Sequence, residues 1–272
     1  RWLNRIENLL NGLEKPGDDT WMDRMRARGK DWLGKVEALE EPQDTPLSTR
    51  PSVAPPVACR PESLAVTDIK HLIRDPYAIY AKRILNLKRL DPLTKSPDAP
   101  LRGTLIHDLL EAFLQTGPWA CAEAAKATLL TMAEDRFQTA VPWPAARRMW
   151  LARVVRFADW FVTQELVRQA RSIMTKTEIK GEINLPELNF TLNGTADRID
   201  ILKDGTAHIY DYKTGKPPTP AQQLHFDKQL LLEVEILRRG GFLGLGPLKV
   251  AGATYIGLDN SPCELSAPMD EA

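Results

Sequence analysis

A long apolar run, a spaced pair of cysteines and an excess of either charge are all missing from this sequence. No stretch approaches the ~20 apolar residues that cross a bilayer. The start lacks a basic region followed by an apolar core, so no secretory signal is expected. The three cysteines, Cys59, Cys121 and Cys263, lie far apart and are odd in number, which fits neither a zinc nor an iron–sulfur site. They are expected to be reduced thiols of a cytosolic protein. Lys+Arg and Asp+Glu are 36 each, so any nucleic-acid partner must be met by a local patch rather than by overall charge. No GxxxxGK[ST] loop occurs, which excludes ATP hydrolysis by a phosphate-binding loop in this chain. The GxGxxG-like Gly241-Phe242-Leu243-Gly244-Leu245-Gly246 follows no strand pattern, which argues against a dinucleotide site. An initiator Met is also missing, and Arg1-Trp2-Leu3-Asn4-Arg5 reads as the middle of a longer protein.

What is present falls into two parts separated by proline. Residues 1–41 carry Trp2, Ile6, Leu9, Leu10 and Leu13 at helical spacing. After a break at Pro16-Gly17-Asp18-Asp19 come Trp21, Met25, Trp32, Val36 and Leu39. Helices exposing that many apolar side chains need a partner surface. Residues 42–61 hold Pro42, Pro46, Pro51, Pro55, Pro56 and Pro61 and are expected to form an extended linker at a domain boundary.

From residue 62 the pattern becomes that of a folded core. Thr67 is expected to cap a helix containing Ile69, Leu72 and Ile73, with Asp68 in its first turn. Residues 77–87 continue as a second helix. Gly103-Thr104 is expected to open a third, with Leu105, Ile106, Leu109, Leu110, Phe113 and Leu114 on its apolar side. Two more span 120–138 and 144–171, and the Arg residues of the latter are either candidates for phosphate contact or a solvated helix face. Strand patterns cover 177–185, 190–202 and 206–213, with Lys203-Asp204-Gly205 as a hairpin turn. Pro217, Pro218 and Pro220 end the last of these. A helix over 221–239 and a strand over 249–258 follow. Helices, then a three-strand meander, then helix and strand predict an α+β or mixed α/β core.

The chemistry concentrates on the hairpin. With the turn centred on Asp204, Asp197 lies opposite Asp211, and cross-strand neighbours sit ~5 Å apart. Two carboxylates that close repel unless a cation lies between them, and oxygen ligands suit Mg²⁺ or Mn²⁺. Lys213, two residues past Asp211, projects from the same face. Its ammonium can orient an attacking water and stabilise charge growing on a phosphate. His107 lies on a helix in Gly-Thr-Leu-Ile-His-Asp-Leu-Leu-Glu, with Glu111 one turn later. Gln229 begins an apolar helical run. Taken singly, the hairpin is an ordinary surface hairpin with salt-bridged charges, the helical His a structural residue and the Gln a solvated position. His71, His208 and His225 have no spaced partner and are expected to be structural or surface residues.

Taken in order, a helical His, Gly194-Thr195-Ala196-Asp197-Arg198-Ile199-Asp200, Asp211-Tyr212-Lys213 and a Gln-containing helix resemble the RecB-like branch of the PD-(D/E)XK nucleases. That resemblance implies a restriction-endonuclease-like core, a central mixed sheet flanked by helices, and a nuclease dependent on Mg²⁺, with Mn²⁺ as a substitute. It implies His107, Asp197, Asp211 and the Tyr212 backbone carbonyl as metal ligands, Lys213 as the catalytic lysine, and Gln229 as a DNA-positioning residue. The family often has Tyr four residues after this Gln, where this chain has Glu233.

Ser63-Leu64-Ala65-Val66-Thr67-Asp68-Ile69, Arg74-Asp75-Pro76-Tyr77-Ala78-Ile79-Tyr80 and Leu90-Asp91-Pro92-Leu93 are further similar to the AddB family. These are the nuclease subunits of AddAB helicase–nuclease complexes in double-strand-break repair. The similarity covers residues 62–258. It implies that 1–41 is the tail of a preceding helicase-like region and 62–272 the nuclease domain, cut short beyond Asp259. It implies an AddA-type helicase–nuclease partner, a single strand from an unwound duplex as substrate, exonuclease action, and a place at the bacterial nucleoid in the cytoplasm. Many members carry an iron–sulfur cluster with Cys at the position of Asp75. No Cys cluster follows Gln229 either, so no cluster is expected. Two other readings use the same fold: a catalytically inactive DNA-binding or scaffolding module, and a stand-alone nuclease such as a CRISPR-associated exonuclease.

Overall fold

The computed structural model describes residues 2–13, 21–42, 53–90 and 92–269. The expected break at Pro16–Asp19, residues 43–52 of the expected linker, Asp91 and residues 270–272 lie outside them. The chain divides into two units, residues 1–52 and 53–272. In the first, α1 (Trp2–Gly12) and α2 (Trp21–Glu40) have no buried residue among those described. Trp2 and Trp32 are 75% and 63% exposed.

In the second unit, β1 (Ser63–Ala65) runs straight into α3 (Val66–Arg74). Thr67 therefore lies inside the helix rather than capping it. Ala65 holds the cap position without a side-chain bond. The start is fixed instead by tertiary pairing, since Asp68 is buried against Lys82 and Arg83. α4 (Pro76–Ile79) opens on a proline, which suits a first turn. A wider turn over Tyr80–Ile84 continues it, in place of a regular helix to residue 87. α5 (Ala99–Leu114) begins before Gly103. Asp98 is its cap and accepts the Leu101 N–H at 2.9 Å, and Pro100 sits in the first turn. α6 (Ala122–Ala140) and α7 (Pro144–Arg171) follow.

β2 (Ser172–Leu185), β3 (Phe190–Leu202) and β4 (Ala207–Lys213) form the expected antiparallel meander. β2 starts before residue 177, because residues 173–176 are exposed and show no alternation to read. The single helix expected over 221–239 is two, α8 (Pro220–His225) and α9 (Gln229–Arg238). Thr219 and Gln222 form a capping box on α8. Between the helices the Tyr255 hydroxyl donates to Asp227 at 3.1 Å. β5 (Val250–Gly257) runs parallel to β4, and β6 (Cys263–Ser266) closes the edge antiparallel to β5. No residue of β6 is buried, which left it without a sequence signal.

The sheet order is β1-β3-β4-β5-β6, with β2 also paired to β3. Both faces are covered. Leu109, Phe113, Phe137, Phe157 and Phe161 of α5, α6 and α7 pack with Tyr210, Tyr212 and Ile256. Val66 of α3 and Leu230, Val234 and Leu237 of α9 pack with Ile199, Ile209 and Tyr255. Burial on both faces explains why β4 is almost continuously buried. The glycines after α9 serve a turn. Gly244 has φ +71°, and Gly241 passes against the Glu182 carbonyl where a side chain has no room. Among the described residues no helix is long and apolar enough to cross a membrane.

Candidate active site

The hairpin has the register that its turn dictates. Arg198 pairs with Tyr210 and Asp200 with His208, and one further step sets Asp197 opposite Asp211. Asp197 also marks a change of phase in β3. Leu192 and Ala196 before it, and Ile199 and Ile201 after it, all belong to the α9-side core. Strict alternation with period 2 cannot put both sets on one face, so the strand shifts by one at this carboxylate. The neighbouring strand is irregular at the same level. Glu178 has φ +47°, left-handed backbone that a non-glycine residue rarely adopts. It falls between the flanking pairs Thr177–Arg198 and Ile179–Ala196.

These irregularities gather donors. His107 reaches in from α5 with Nδ1 3.5 Å from Asp197 Oδ2. Its ring stands edge-on to Tyr212, with centroids 6.3 Å apart. Asp197 Oδ2 also accepts the Tyr212 N–H at 2.7 Å. One ligand atom from each of His107, Glu178 and Asp197 lies within 4.8 Å of the others. Burial opposes the charged form of His107, but Asp197, with Asp211 and Glu178 behind it, outweighs that and raises the pKa. Burial and then the charge of Asp197 raise that of Glu178.

Asp211 and Lys213 sit beside this trio at the end of β4. Lys213 Nζ lies 2.7 Å from Asp211 Oδ2 and donates to Gln229 Oε1 at 3.0 Å. Gln229 Nε2 in turn donates to Asp211 Oδ1 at 2.5 Å and to Glu233 Oε1 at 3.1 Å. Burial, assisted by Asp197, pushes the Asp211 carboxyl up to about 6, against the pull of Lys213. Glu233 is fully buried and is raised well above the carboxylate range, by burial and then by Asp211. Burial works against the Lys213 ammonium, yet Asp211 beside it holds its pKa above the usual lysine value.

The cluster is out of balance. Four carboxyl groups, Glu178, Asp197, Asp211 and Glu233, meet one lysine and one histidine. Asp211 Oδ2 has only Lys213 beside it, and Glu233 Oε2 is buried and receives no hydrogen bond. Hard oxygen donors, an imidazole and an orphaned buried carboxylate oxygen fit a divalent cation such as Mg²⁺ or Mn²⁺.

All the residues singled out in the sequence, His107, Asp197, Asp211, Tyr212, Lys213 and Gln229, therefore meet at one place between α5 and α9. Asp211 faces Lys213 and Gln229 and is not part of the tight His107–Glu178–Asp197 trio. Glu178 was missed. Counting back through the turn at Pro186–Leu188 would have set it across from Asp197. The α7 arginines proposed for phosphate contact are largely engaged inside the protein. Arg147 donates to the Val141 carbonyl, Arg153 to the Thr214 and Leu258 carbonyls, and Arg171 to the Tyr210 hydroxyl.

A profile of the PD-(D/E)XK nuclease superfamily matches residues 63–269, the whole span from β1 past β6. An uncharacterized protein of Rickettsia bellii is 31% identical over 185 residues, covering 67% of this chain and 22% of that protein. Another, from Rickettsia typhi, is 31% identical over 189 residues, again covering 67% and 22%. An ATP-dependent helicase/deoxyribonuclease subunit of Streptococcus mutans is 24% identical over 269 residues, 97% of this chain and 23% of that protein. The chain thus spans less than a quarter of the length of these relatives. With a mixed sheet between helices, an Asp197–Asp211–Lys213 cluster at its end and a match over that entire core, the chain belongs to the PD-(D/E)XK nuclease superfamily.

Proposed function

We propose that this chain is a metal-dependent nuclease domain that hydrolyses phosphodiester bonds in DNA, within a longer polypeptide serving double-strand-break repair. The observation that carries the reading is the convergence of His107, Asp197, Asp211 and Lys213 in a cluster where four carboxyl groups share one lysine and one histidine. His107, Asp197, Asp211 and the Tyr212 backbone carbonyl are the residues to hold Mg²⁺, or Mn²⁺ in its place, and Glu178 adds a further oxygen. A divalent cation there supplies Lewis acidity toward the scissile phosphate and the attacking water. The protein's own groups do the rest. Asp197, fixed by the Tyr212 N–H, and Asp211, fixed by Gln229, keep their oxygens aimed into the site. Lys213 orients water and offsets charge developing on the phosphate. Gln229 holds the Lys213 ammonium in place and through it positions the DNA.

The Streptococcus relatives support the wider reading, since their names make them subunits of ATP-dependent helicase/deoxyribonucleases. On that footing an AddA-type helicase–nuclease subunit is the partner, and a single strand from an unwound duplex the substrate. Residues 1–41 then belong to the end of a helicase-like region, and the exposed Trp2 and Trp32 are surfaces for the rest of the polypeptide. The presence of Asp197, Asp211 and Lys213 together favours catalysis over a purely scaffolding role.

The test is cleavage of end-labelled single-stranded DNA with Mg²⁺ or Mn²⁺, by the chain alone and with its helicase partner. Asp211→Ala and Lys213→Ala should each lower cutting about a thousandfold while leaving the fold intact. Cutting that persists in both variants would overturn the assignment. A wild-type chain inert even with its partner, and unable to bind Mn²⁺ by calorimetry, would favour the scaffolding role.

A further inference from the structure

A basic cleft opens beside the proposed nuclease site on the side away from α7. It measures about 660 Å³ and has Lys213 in its lining, room for a ligand of nucleotide size. α3 contributes Lys70, His71 and Arg74, and the loop after β4 contributes Lys216. Phe226, in the break between α8 and α9, lies beneath Arg74, whose guanidinium carbon is 5.8 Å from the ring centroid. Apart from Lys213, which is paired with Asp211, three cations line the cleft with one carboxylate, Asp227, and the Tyr255 hydroxyl already donates to that carboxylate. Among the described residues Lys70, Arg74 and Lys216 pair with no acidic side chain, unlike Lys82, Arg83, Lys126, Arg168 and Arg198. Two exposed lysines thus gather with the Arg74–Phe226 pair at one opening, their charges facing solvent.

We infer that this cleft is a subsite for single-stranded nucleic acid: Lys70 and Lys216 hold backbone phosphates, the Arg74–Phe226 pair stacks a base, and the strand is led onto Lys213. The inference rests on the nuclease reading for its purpose but not for its binding chemistry. Phosphates are held by lysines whose charge is not already neutralised. A base stacks on an aromatic ring or a guanidinium plane whatever its identity. Only an unpaired base presents its face, so a duplex gains the phosphate contacts and loses the platform. Lys213 joins the two regions, because its ammonium lines the cleft and touches Asp211. A phosphate one step beyond those held by Lys70 and Lys216 is therefore delivered to the carboxylates. The break between α8 and α9, which sequence periodicity alone does not require, has a use on this view, since it turns Phe226 into the cleft.

The test measures binding without cutting. The anisotropy of a labelled oligothymidylate is titrated with the full chain in EDTA over a salt series. Each phosphate contact adds about 0.7 to the slope of log K against log[salt] for a single strand. The double variant Lys70→Ala/Lys216→Ala should flatten the slope by about 1.4. Phe226→Ala should weaken binding about tenfold with the slope unchanged, and Arg74→Ala, at an exposed position, should do both in part. A blunt duplex should compete poorly. Variants that bind like wild type, or a duplex that competes equally, would overturn the subsite. Mn²⁺ calorimetry on the same protein reads the nuclease proposal separately. Cutting with unchanged binding in the variants removes the subsite alone. Binding that depends on these residues in a chain with no metal affinity removes the nuclease reading alone and leaves the subsite standing.

Discussion

Asp197 and Arg198 are successive residues of β3, yet they belong to clusters built on opposite principles. Arg198 is 1% exposed and its charge is closed off. Its Nε and Nη2 donate to both oxygens of Asp200 at 2.7 and 2.8 Å, and its Nη1 donates to Glu165 at 2.5 Å and to the Tyr212 hydroxyl at 3.3 Å. Arg168 donates to the same Glu165 oxygen at 3.1 Å and also meets Glu264. Thr175 donates to Asp200 at 2.8 Å. Two arginines there meet three carboxylates, each charge has an opposite partner, and of the buried polar atoms of these charged side chains only Arg168 Nε lacks a hydrogen bond. One residue back, Asp197 enters a cluster where four carboxyl groups share one lysine and one histidine, Glu233 keeps an unbonded oxygen, and Glu178 sits in left-handed backbone. Burial and mutual repulsion raise the Asp211 and Glu233 carboxyls even with Lys213 beside them, so the second arrangement is a liability unless something outside the chain balances it. Stability has been invested around Arg198 and given up around Asp197, and that contrast is the structural argument for a cation site.

Breaking the closed cluster should produce the largest loss of stability. Arg198→Ala leaves Asp200 and Glu165 buried and unpaired and should destabilise the fold by about 3–5 kcal/mol, read by urea unfolding of the purified chain. A loss below about 1 kcal/mol would mean that water reaches this network and the contrast is false.

The closed region also has a pH-sensitive point. His208 stacks on Tyr210 and shares a 2.9 Å hydrogen bond with Thr254. Burial, and then the charge of Arg171, lower its pKa to about 4. An unfolded histidine titrates near 6.5, so between about pH 6.5 and 4 the unfolded chain binds the additional proton. Stability contributed by neutral His208 is therefore present above pH 6.5 and is lost as pH falls through 4. Between pH 7 and 5 the loss should be about 1–2 kcal/mol, allowing for partial exposure. His208→Gln should flatten that part of the stability profile. An unchanged profile would assign the slope to other groups.

The smallest expected effect is on the open side. Glu178→Gly removes a side chain from a left-handed position and should stabilise the metal-free chain by about 1 kcal/mol, while weakening Mn²⁺ binding several-fold in calorimetry. Stabilisation without loss of affinity would show that Glu178 is strained for some other purpose.

The contrast also shows what the sequence made legible. The meander, its turn and the Asp197–Asp211–Lys213 set could be read because strand period and turn chemistry fix register across a short hairpin. Helix starts were harder. Thr67 looked like a cap, but the Asp68 ion pairs with Lys82 and Arg83, fourteen and fifteen residues away, set the true start. The split between α8 and α9 depends on Tyr255 holding Asp227 across 28 residues, which periodicity cannot show. Glu178 escaped notice because β2 alternates weakly there. Glu233 was visible only as a departure from the family pattern, and its burial against Asp211 required the fold.

The most direct test compares wild type with Asp211→Asn by thermal unfolding, with and without Mn²⁺. Burial and its neighbours raise the Asp211 carboxyl to about 6, so the charged form costs on the order of 1–3 kcal/mol at pH 7 in the metal-free protein. Asp211→Asn should therefore melt higher than wild type without metal, and added Mn²⁺ should raise the melting temperature of wild type but not of the variant. Parallel shifts in both proteins, or a variant that melts lower without metal, would contradict the claim that this cluster gives up stability to hold a cation.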